Sequence, residues 1–189
     1  MADPLLYIGV DIAIKRDTAA VVALYNDYDQ RQFCLWGHRI FKPPVNMVTQ
    51  VEPLLLTLLK GNRVGALGYD PYQFATTQQK LIEAGHGAKL VEINQQTLMV
   101  PAANTLHSHL SDPGTLKLYT DPDPHSHFSW CAAEHTERGW RIVKRHQAKP
   151  VDFVVALAMA LMVATGETGH TLHPSLSNVD QGRSVLVLP

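Results

Sequence analysis

The chain has 189 residues, 46% of them hydrophobic and 17% charged, with a formal net charge of −1. That length supports one sizeable core in a single domain, and that composition excludes a disordered chain. The near-zero charge argues against a strongly basic free-standing nucleic-acid binder, and two distant cysteines, Cys34 and Cys131, argue against a disulfide framework or a cysteine zinc site and fit a reducing cytoplasm.

Leu5 to Asp11 reads as a buried strand that ends in an acid, with no basic leader ahead of it. Thr18 to Tyr25, β-branched and alanine-rich, is a second strand. Asn26-Asp27-Tyr28-Asp29 is a turn and Gln32 to Phe41 a third strand, so the chain opens with an antiparallel meander. Pro43-Pro44 breaks it. Val45 to Lys60 carries Val48, Val51, Leu55, Leu58 and Leu59 at helical spacing and stops at Gly61, while Pro53 predicts a kink or a late start. Arg63 to Asp70 is a fourth strand, again ending in an acid. Pro71 to Ala84 reads as a helix with Gly85 past its end, and Lys89 to Ile93 as a fifth strand. Met99 to Leu110 is a helix stopped by Asp112-Pro113-Gly114, Thr115 to Tyr119 a short strand, and Pro124 to Ala133 a short helix. Glu134 to Thr136 and Trp140 to Lys144 pair as a hairpin around Arg138-Gly139. Lys149 to Thr165 is the last helix; its apolar run, Phe153 to Ala164, is shorter than the ~20 residues of a membrane span and reads as core. The expected organisation is one domain over residues 1–166 and a flexible tail over 167–189. Antiparallel strands followed by strands reached through helices make an α/β plan with a mixed sheet.

Three acids stand at the ends of buried elements: Asp11, Asp70 and Asp152, the last in the first turn of an apolar helix. Each alone has a plain reading, as a turn residue or as a first-turn acid favoured by the helix dipole. Together they suggest a site, because several carboxylates meeting in one place need a cation. Hard carboxylate oxygens suit magnesium or manganese, and two such ions about 3.5–4 Å apart clamp the attacking and leaving oxygens of a phosphodiester. Asp17, six residues after Asp11, is a candidate outer ligand or a simple turn acid.

Arg138, Arg141, Lys144, Arg145 and Lys149 form a basic run without an acid, with His146 inside it. Such a run is either an ordinary solvated face or a set of phosphate contacts over a DNA path, without base reading. Lys149 is a candidate for the scissile phosphate or a plain surface lysine. His107 with His109 and His125 with His127 resemble zinc pairs but lack further ligands, and read as surface or groove histidines. Trp130 and Trp140 read as packing residues.

Tyr7-Ile8-Gly9-Val10-Asp11-Ile12-Ala13, followed by Lys15, Asp17, Thr18 and Ala19-Ala20-Val21-Val22, resembles the first nuclease motif of the large terminase subunits of tailed bacteriophages. Gly68-Tyr69-Asp70-Pro71-Tyr72-Gln73 resembles the second motif. Residues Asn104 to Tyr119, His127-Phe128-Ser129-Trp130 and Lys149 to Ala158 resemble the rest of that domain, so the likeness covers about residues 5–165. It implies a ribonuclease-H-like fold: a mixed central sheet of five or more strands, flanked by helices, with an added hairpin. It implies a metal-dependent endonuclease that cuts double-stranded viral DNA during genome packaging, with little sequence preference. It further implies two Mg2+ or Mn2+ ions held by Asp11, Asp70 and Asp152. The implied partners are DNA, the terminase ATPase domain, the small terminase subunit and the portal of the procapsid, with no membrane, in the host cell cytoplasm and not in the mature virion. The chain has no GxxxxGK[ST] phosphate loop, so it reads as the nuclease half alone. Val151 and Phe153 flank Asp152, where some relatives carry a further acid. Three rival readings stand beside this one: a Holliday-junction resolvase or another ribonuclease-H-like nuclease, an actin- or sugar-kinase-like ATPase, and a catalytically silent docking module of a packaging motor.

Overall fold

The computed structural model describes residues 3–12, 18–94, 97–146 and 149–167. Three strands open the fold: β1 (Leu5–Ile12), β2 (Ala19–Asp27) and β3 (Gln32–Phe41). They pair as an antiparallel meander, with Asp11 opposite Ala20 and Ala20 opposite Ile40. A wide turn over Met47–Val51, capped by the Asn46 side chain, leads into α1 (Glu52–Gly61). Pro53 sits in the first turn of α1, where its missing N–H costs nothing, so it produces the late start and no kink.

The chain continues through β4 (Arg63–Tyr69), α2 (Ala75–Glu83), β5 (Leu90–Glu92), α3 (Met99–Ser111), β6 (Leu116–Lys117) and α4 (Pro122–Trp130). A hairpin of β7 (Cys131–Thr136) and β8 (Gly139–Lys144) follows, and α5 (Asp152–Thr165) closes the domain. The main sheet has six strands in the order β5-β4-β1-β2-β3-β6, and β7-β8 forms a separate two-stranded sheet. β4 runs parallel to β1 and to β5, and β6 runs parallel to β3. This is the expected mixed sheet flanked by helices with an added hairpin.

Both faces of the sheet are covered, which is why its central strands read as continuous apolar runs. One face packs Ile8, Val10, Val21, Ala23 and Leu67 against Leu55, Leu59 and Leu81 of α1 and α2. The other packs Tyr7, Ala20, Val22 and Leu24 against α5 and against Ala102 and Leu106 of α3. In α5 every residue from Asp152 to Val163 except Val155 is buried. A helix apolar on all sides is a core helix in a protein of this size. It ends at Gly166, whose left-handed backbone (φ 74°) suits a residue without Cβ.

Several boundaries differ from the sequence expectation. The helix expected from Pro71 begins at Ala75, because the Asp70 carboxylate takes the Tyr72 N–H at 3.0 Å and Gln73 turns left-handed (φ 67°). The helix expected over Pro124 to Ala133 runs earlier, from Pro122 to Trp130: Asp121 caps it by accepting the Asp123 N–H at 3.0 Å, and Cys131 is already paired with Lys144. The last helix begins at Asp152 rather than Lys149. Asn26 and Asp27 belong to β2, so the turn lies over residues 28–31, with Arg31 at φ 53°. Glu167, expected to open the tail, accepts a hydrogen bond from Thr105 of α3 at 2.5 Å, and the rest of that tail lies outside the described residues.

Candidate active site

The carboxyl ends of β1, β3, β4, β5 and β6 share one edge of the sheet, because all five strands run the same way. Asp11 lies near the end of β1, Asp70 directly follows β4, and Asp152 is the first residue of α5. Asp11 and Asp152 are buried, 8% and 4% exposed, and Asp70 is half-buried. Thr18, at the start of β2 on the same edge, donates its hydroxyl proton to the Asp152 carboxylate.

Asp11 responds to both other carboxylates. Burial pushes the Asp11 carboxyl well above the usual range; Asp152 and then Asp70 push it further the same way. The backbone N–H of Ile12 and the ammonium of Lys144 pull it back. Burial also raises Asp70, against the Tyr72 N–H. Among the described residues no group of three or more His, Cys, Asp or Glu side chains is close enough to hold one ion. The trio is therefore joined by charge and not by a shared coordination sphere. Asp70 and Asp152 are each tied to a donor of their own. Asp17 lies outside the described residues.

The hairpin divides the basic run. Arg138, Arg141, Arg145, His146 and Lys149 are exposed, whereas Lys144 is half-buried. Alternation along β8 puts Trp140, Ile142 and Lys144 on one side and Arg141 and Val143 on the other. Ile142 packs on the core and the Trp140 ring stacks on His107 of α3 at 4.2 Å, so Lys144 is on the inward side. The Lys149 ammonium lies over the Trp130 ring, 4.9 Å from its centre.

His127 corrects one expectation. Predicted at the surface or in a groove, it is buried, 3% exposed, and its Nδ1 accepts the Phe153 N–H at 3.2 Å. It thus satisfies a backbone donor of the first turn of α5, beside Asp152. His125 is exposed, while His107 packs on Trp140 and His109 meets Phe33 edge-on at 5.2 Å.

Beside the trio is a group the sequence did not announce. His38 Nδ1 and the Tyr119 hydroxyl are 2.6 Å apart, the His38 ring meets Phe153 edge-on, and its Nε2 is 3.7 Å from Asp121. Burial lowers the His38 pKa, against the opposing pull of Asp121 and then Asp123. His38 and Tyr119 are 81 positions apart, and no spacing rule connects a strand residue to a loop residue at that distance.

No protein-family model and no curated protein matches the sequence. Solved structures do match the fold. The large terminase of bacteriophage HK97 aligns with a TM-score of 0.69 at 16% identity, over 86% of this chain and 40% of that one. The large terminase nuclease of thermophilic phage G20c, in a structure with bound magnesium, aligns at 0.64 and 16% identity, over 85% of this chain and 82% of that one. The large terminase nuclease domain of bacteriophage SPP1, with bound manganese, aligns at 0.54 and 9% identity, over 85% and 86%. The chain therefore spans 40% of the HK97 protein and over four fifths of the two separate nuclease domains. At these identities the likeness is one of architecture: the chain has the fold of the nuclease domains of phage large terminases.

Proposed function

We propose that this chain is a metal-dependent endodeoxyribonuclease that cuts double-stranded viral DNA during genome packaging. The observation that carries the reading is the placement of Asp11, Asp70 and Asp152 at one end of the sheet, on the carboxyl ends of the parallel neighbours β1 and β4 and at the start of α5, whose Asp152 takes the Thr18 hydroxyl. Two of the three are buried, and their donor chemistry fits a hard divalent cation. The G20c and SPP1 nucleases, solved with magnesium and with manganese, have the same fold. Asp11, Asp70 and Asp152 are the proposed ligands of two Mg2+ or Mn2+ ions, with Asp17 as an outer ligand. When bound, such ions activate water and stabilise charge on the phosphate.

The protein's own part is placement. β1 and β4 set Asp11 and Asp70 on neighbouring strand ends, and Thr18 orients the Asp152 carboxylate. The hairpin presents Arg138, Arg141 and Arg145, with His146 and Lys149 beyond it, as phosphate contacts that read no bases. Little sequence preference follows. The terminase ATPase domain, the small terminase subunit and the portal are the proposed partners, at work in the host cytoplasm. Among the described residues no helix is long and apolar enough to cross a membrane.

Nicking of supercoiled plasmid in manganese tests the reading. Asp70→Ala is expected to lose cleavage by more than about a hundredfold while keeping its circular dichroism spectrum, since even partners one step removed from a metal cost 10–100-fold. Cutting at wild-type level by that variant removes Asp70 from the site. A wild-type chain that never nicks returns the docking-module reading, and comparison of linear duplex with a four-way junction separates packaging nuclease from resolvase. Replacing Arg138, Arg141 and Arg145 together by Ala is expected to weaken duplex binding and to make the slope of log K against log salt shallower by up to about 3, since each phosphate contact contributes close to one. An unchanged slope would take the hairpin off the DNA path.

A further inference from the structure

The turn that follows β4 holds an aromatic ring out in solvent at the acidic edge of the sheet. Tyr72 is 75% exposed, more than any other large apolar side chain among the described residues. Its backbone N–H is bound to the Asp70 carboxylate at 3.0 Å, so the residue is rooted at the proposed site. The turn around it is tied down. On either side Tyr69 and Phe74, both buried, stack with ring centres 4.4 Å apart. The Phe74 N–H closes on the Pro71 carbonyl at 3.2 Å, and Phe74 leads directly into α2. Gln73 takes a left-handed backbone (φ 67°), a conformation that costs a residue with a Cβ some stability. A strained turn, anchored at both ends, thus keeps one large ring away from the core, where burial would have been favourable.

Charge decides what such a ring meets on DNA. No lysine or arginine lies between Arg63 and Lys80, and Asp70 adds a carboxylate, so the turn offers a phosphate no cation. The broad uncharged surface left on DNA is the face of a base, and that face is open only where the base has left its pair. We propose that Tyr72 stacks on an unpaired base beside the scissile phosphate, so that the preferred substrate is duplex DNA opened at the cut. This rests on the metal-dependent nuclease reading and narrows its substrate. Every base has a face to stack on, so the contact agrees with little sequence preference.

Cleavage by the full chain in Mn2+ of a linear duplex, and of the same duplex with a short central bubble, reads this directly. The wild type is expected to cut the bubble with a kcat/KM on the order of tenfold higher, because the unpairing that stacking requires is already done. Tyr72→Ala is expected to cut the two substrates about equally. Tyr72→Phe keeps the ring and is expected to keep the preference. Calorimetric titration of Mn2+ is expected to give Tyr72→Ala the affinity of wild type, since the N–H that holds Asp70 belongs to the backbone. No bubble preference in the wild type, or a preference that Tyr72→Ala retains, overturns the inference and leaves the nuclease reading standing. A preference lost in Tyr72→Phe as well overturns it in favour of a contact through the hydroxyl, and weaker Mn2+ binding by Tyr72→Ala overturns it in favour of a role at the metal. A wild type that cuts neither DNA overturns the nuclease reading together with the inference. A measurement on the unaltered chain guards against a variant that does not fold. A bubble carrying 5-iododeoxyuridine, bound with Ca2+ in place of Mn2+ and irradiated, is expected to attach to the peptide that contains Tyr72, located by mass spectrometry. Attachment only elsewhere, or none, also overturns the inference.

Discussion

Asp11→Asn is expected to abolish manganese-dependent cleavage and, at the same time, to raise the melting temperature of the metal-free protein. Both effects come from one fact. Asp11 is 8% exposed, and its carboxyl is pushed well above the usual range by burial, then by Asp152, then by Asp70. A carboxylate there is expensive without a cation, and a neutral amide of the same shape removes the expense. Under the proposed metal-binding role cleavage should fall by more than about a hundredfold, since even partners one step removed from a metal cost 10–100-fold. The metal-free variant should melt higher by at least about 3 °C, the shift that ~1 kcal/mol gives in a domain of this size.

The pH dependence fixes the sign. Folding raises the pKa of Asp11 above its unfolded value, so the folded chain holds a proton that the unfolded chain releases between the two values. Stability from this group is fully present below the unfolded value and is lost as pH rises through the folded one. The variant has no such group. Its advantage over wild type should therefore be small in acid, grow across that window and level off above it. Saturating Mn2+ should reverse the order, since a ligand at a hundred times its dissociation constant adds about 2.7 kcal/mol to the chain that binds it. Thermal melts of both proteins with and without Mn2+ across pH decide the matter. A variant less stable than wild type at pH 8 without metal would mean that Asp11 is already neutralised by the protein.

Legibility along the chain followed the range of the interactions involved. β1 to β4 were readable because both faces of the sheet are buried, which leaves long apolar runs such as Leu5 to Val10. α5 was readable for the same reason. Errors fell where a polar side chain competes with the backbone. The Asp70 carboxylate captures the Tyr72 N–H and delays α2, and the Asp121 carboxylate starts α4 early. Either is a local option that the pattern of hydrophobic residues does not decide. The three aspartates were visible because each ends a buried element. What orients them was not: Thr18 reaches Asp152 across 134 positions, and His127 serves the first turn of α5 across 26. Nor does a basic run in sequence disclose which of its members the alternation of a strand turns inward. Lys144 is half-buried on the inward side of β8, while Arg141 is exposed on the other.

Gly9→Ala is expected to be the most destabilising single methyl group in the protein, and Gly68→Ala to be tolerated far better. Gly9 lies in the middle of β1, directly under α5. A Cβ there would stand 1.9 Å from the Ala156 carbonyl oxygen, 2.6 Å from the Ala160 nitrogen and 2.9 Å from the Ala156 carbonyl carbon. All three are backbone atoms of one helix, which has no rotamer to change. The helix would have to lift, and every buried side chain of α5 would lose contacts with it. At Gly68 the nearest atoms are Ile93 Cδ1 at 2.7 Å, the far end of a flexible side chain, and Val163 Cγ1 at 3.0 Å, on a stiffer β-branched one, with the Met159 carbonyl oxygen at an ordinary contact distance of 3.4 Å. Overpacking usually costs about 1–3 kcal/mol. Gly68→Ala should fall within that range, and Gly9→Ala above it, a large share of the about 5–15 kcal/mol that holds an ordinary domain folded. Denaturant melts measure both, and a Gly9→Ala loss under about 1 kcal/mol would be incompatible with α5 resting on β1 at this distance. The same contact sets the site, because lifting α5 carries Asp152 away from Asp11. A Gly9→Ala chain that still folds in the cold should therefore lose Mn2+ binding, whereas Gly68→Ala should retain it.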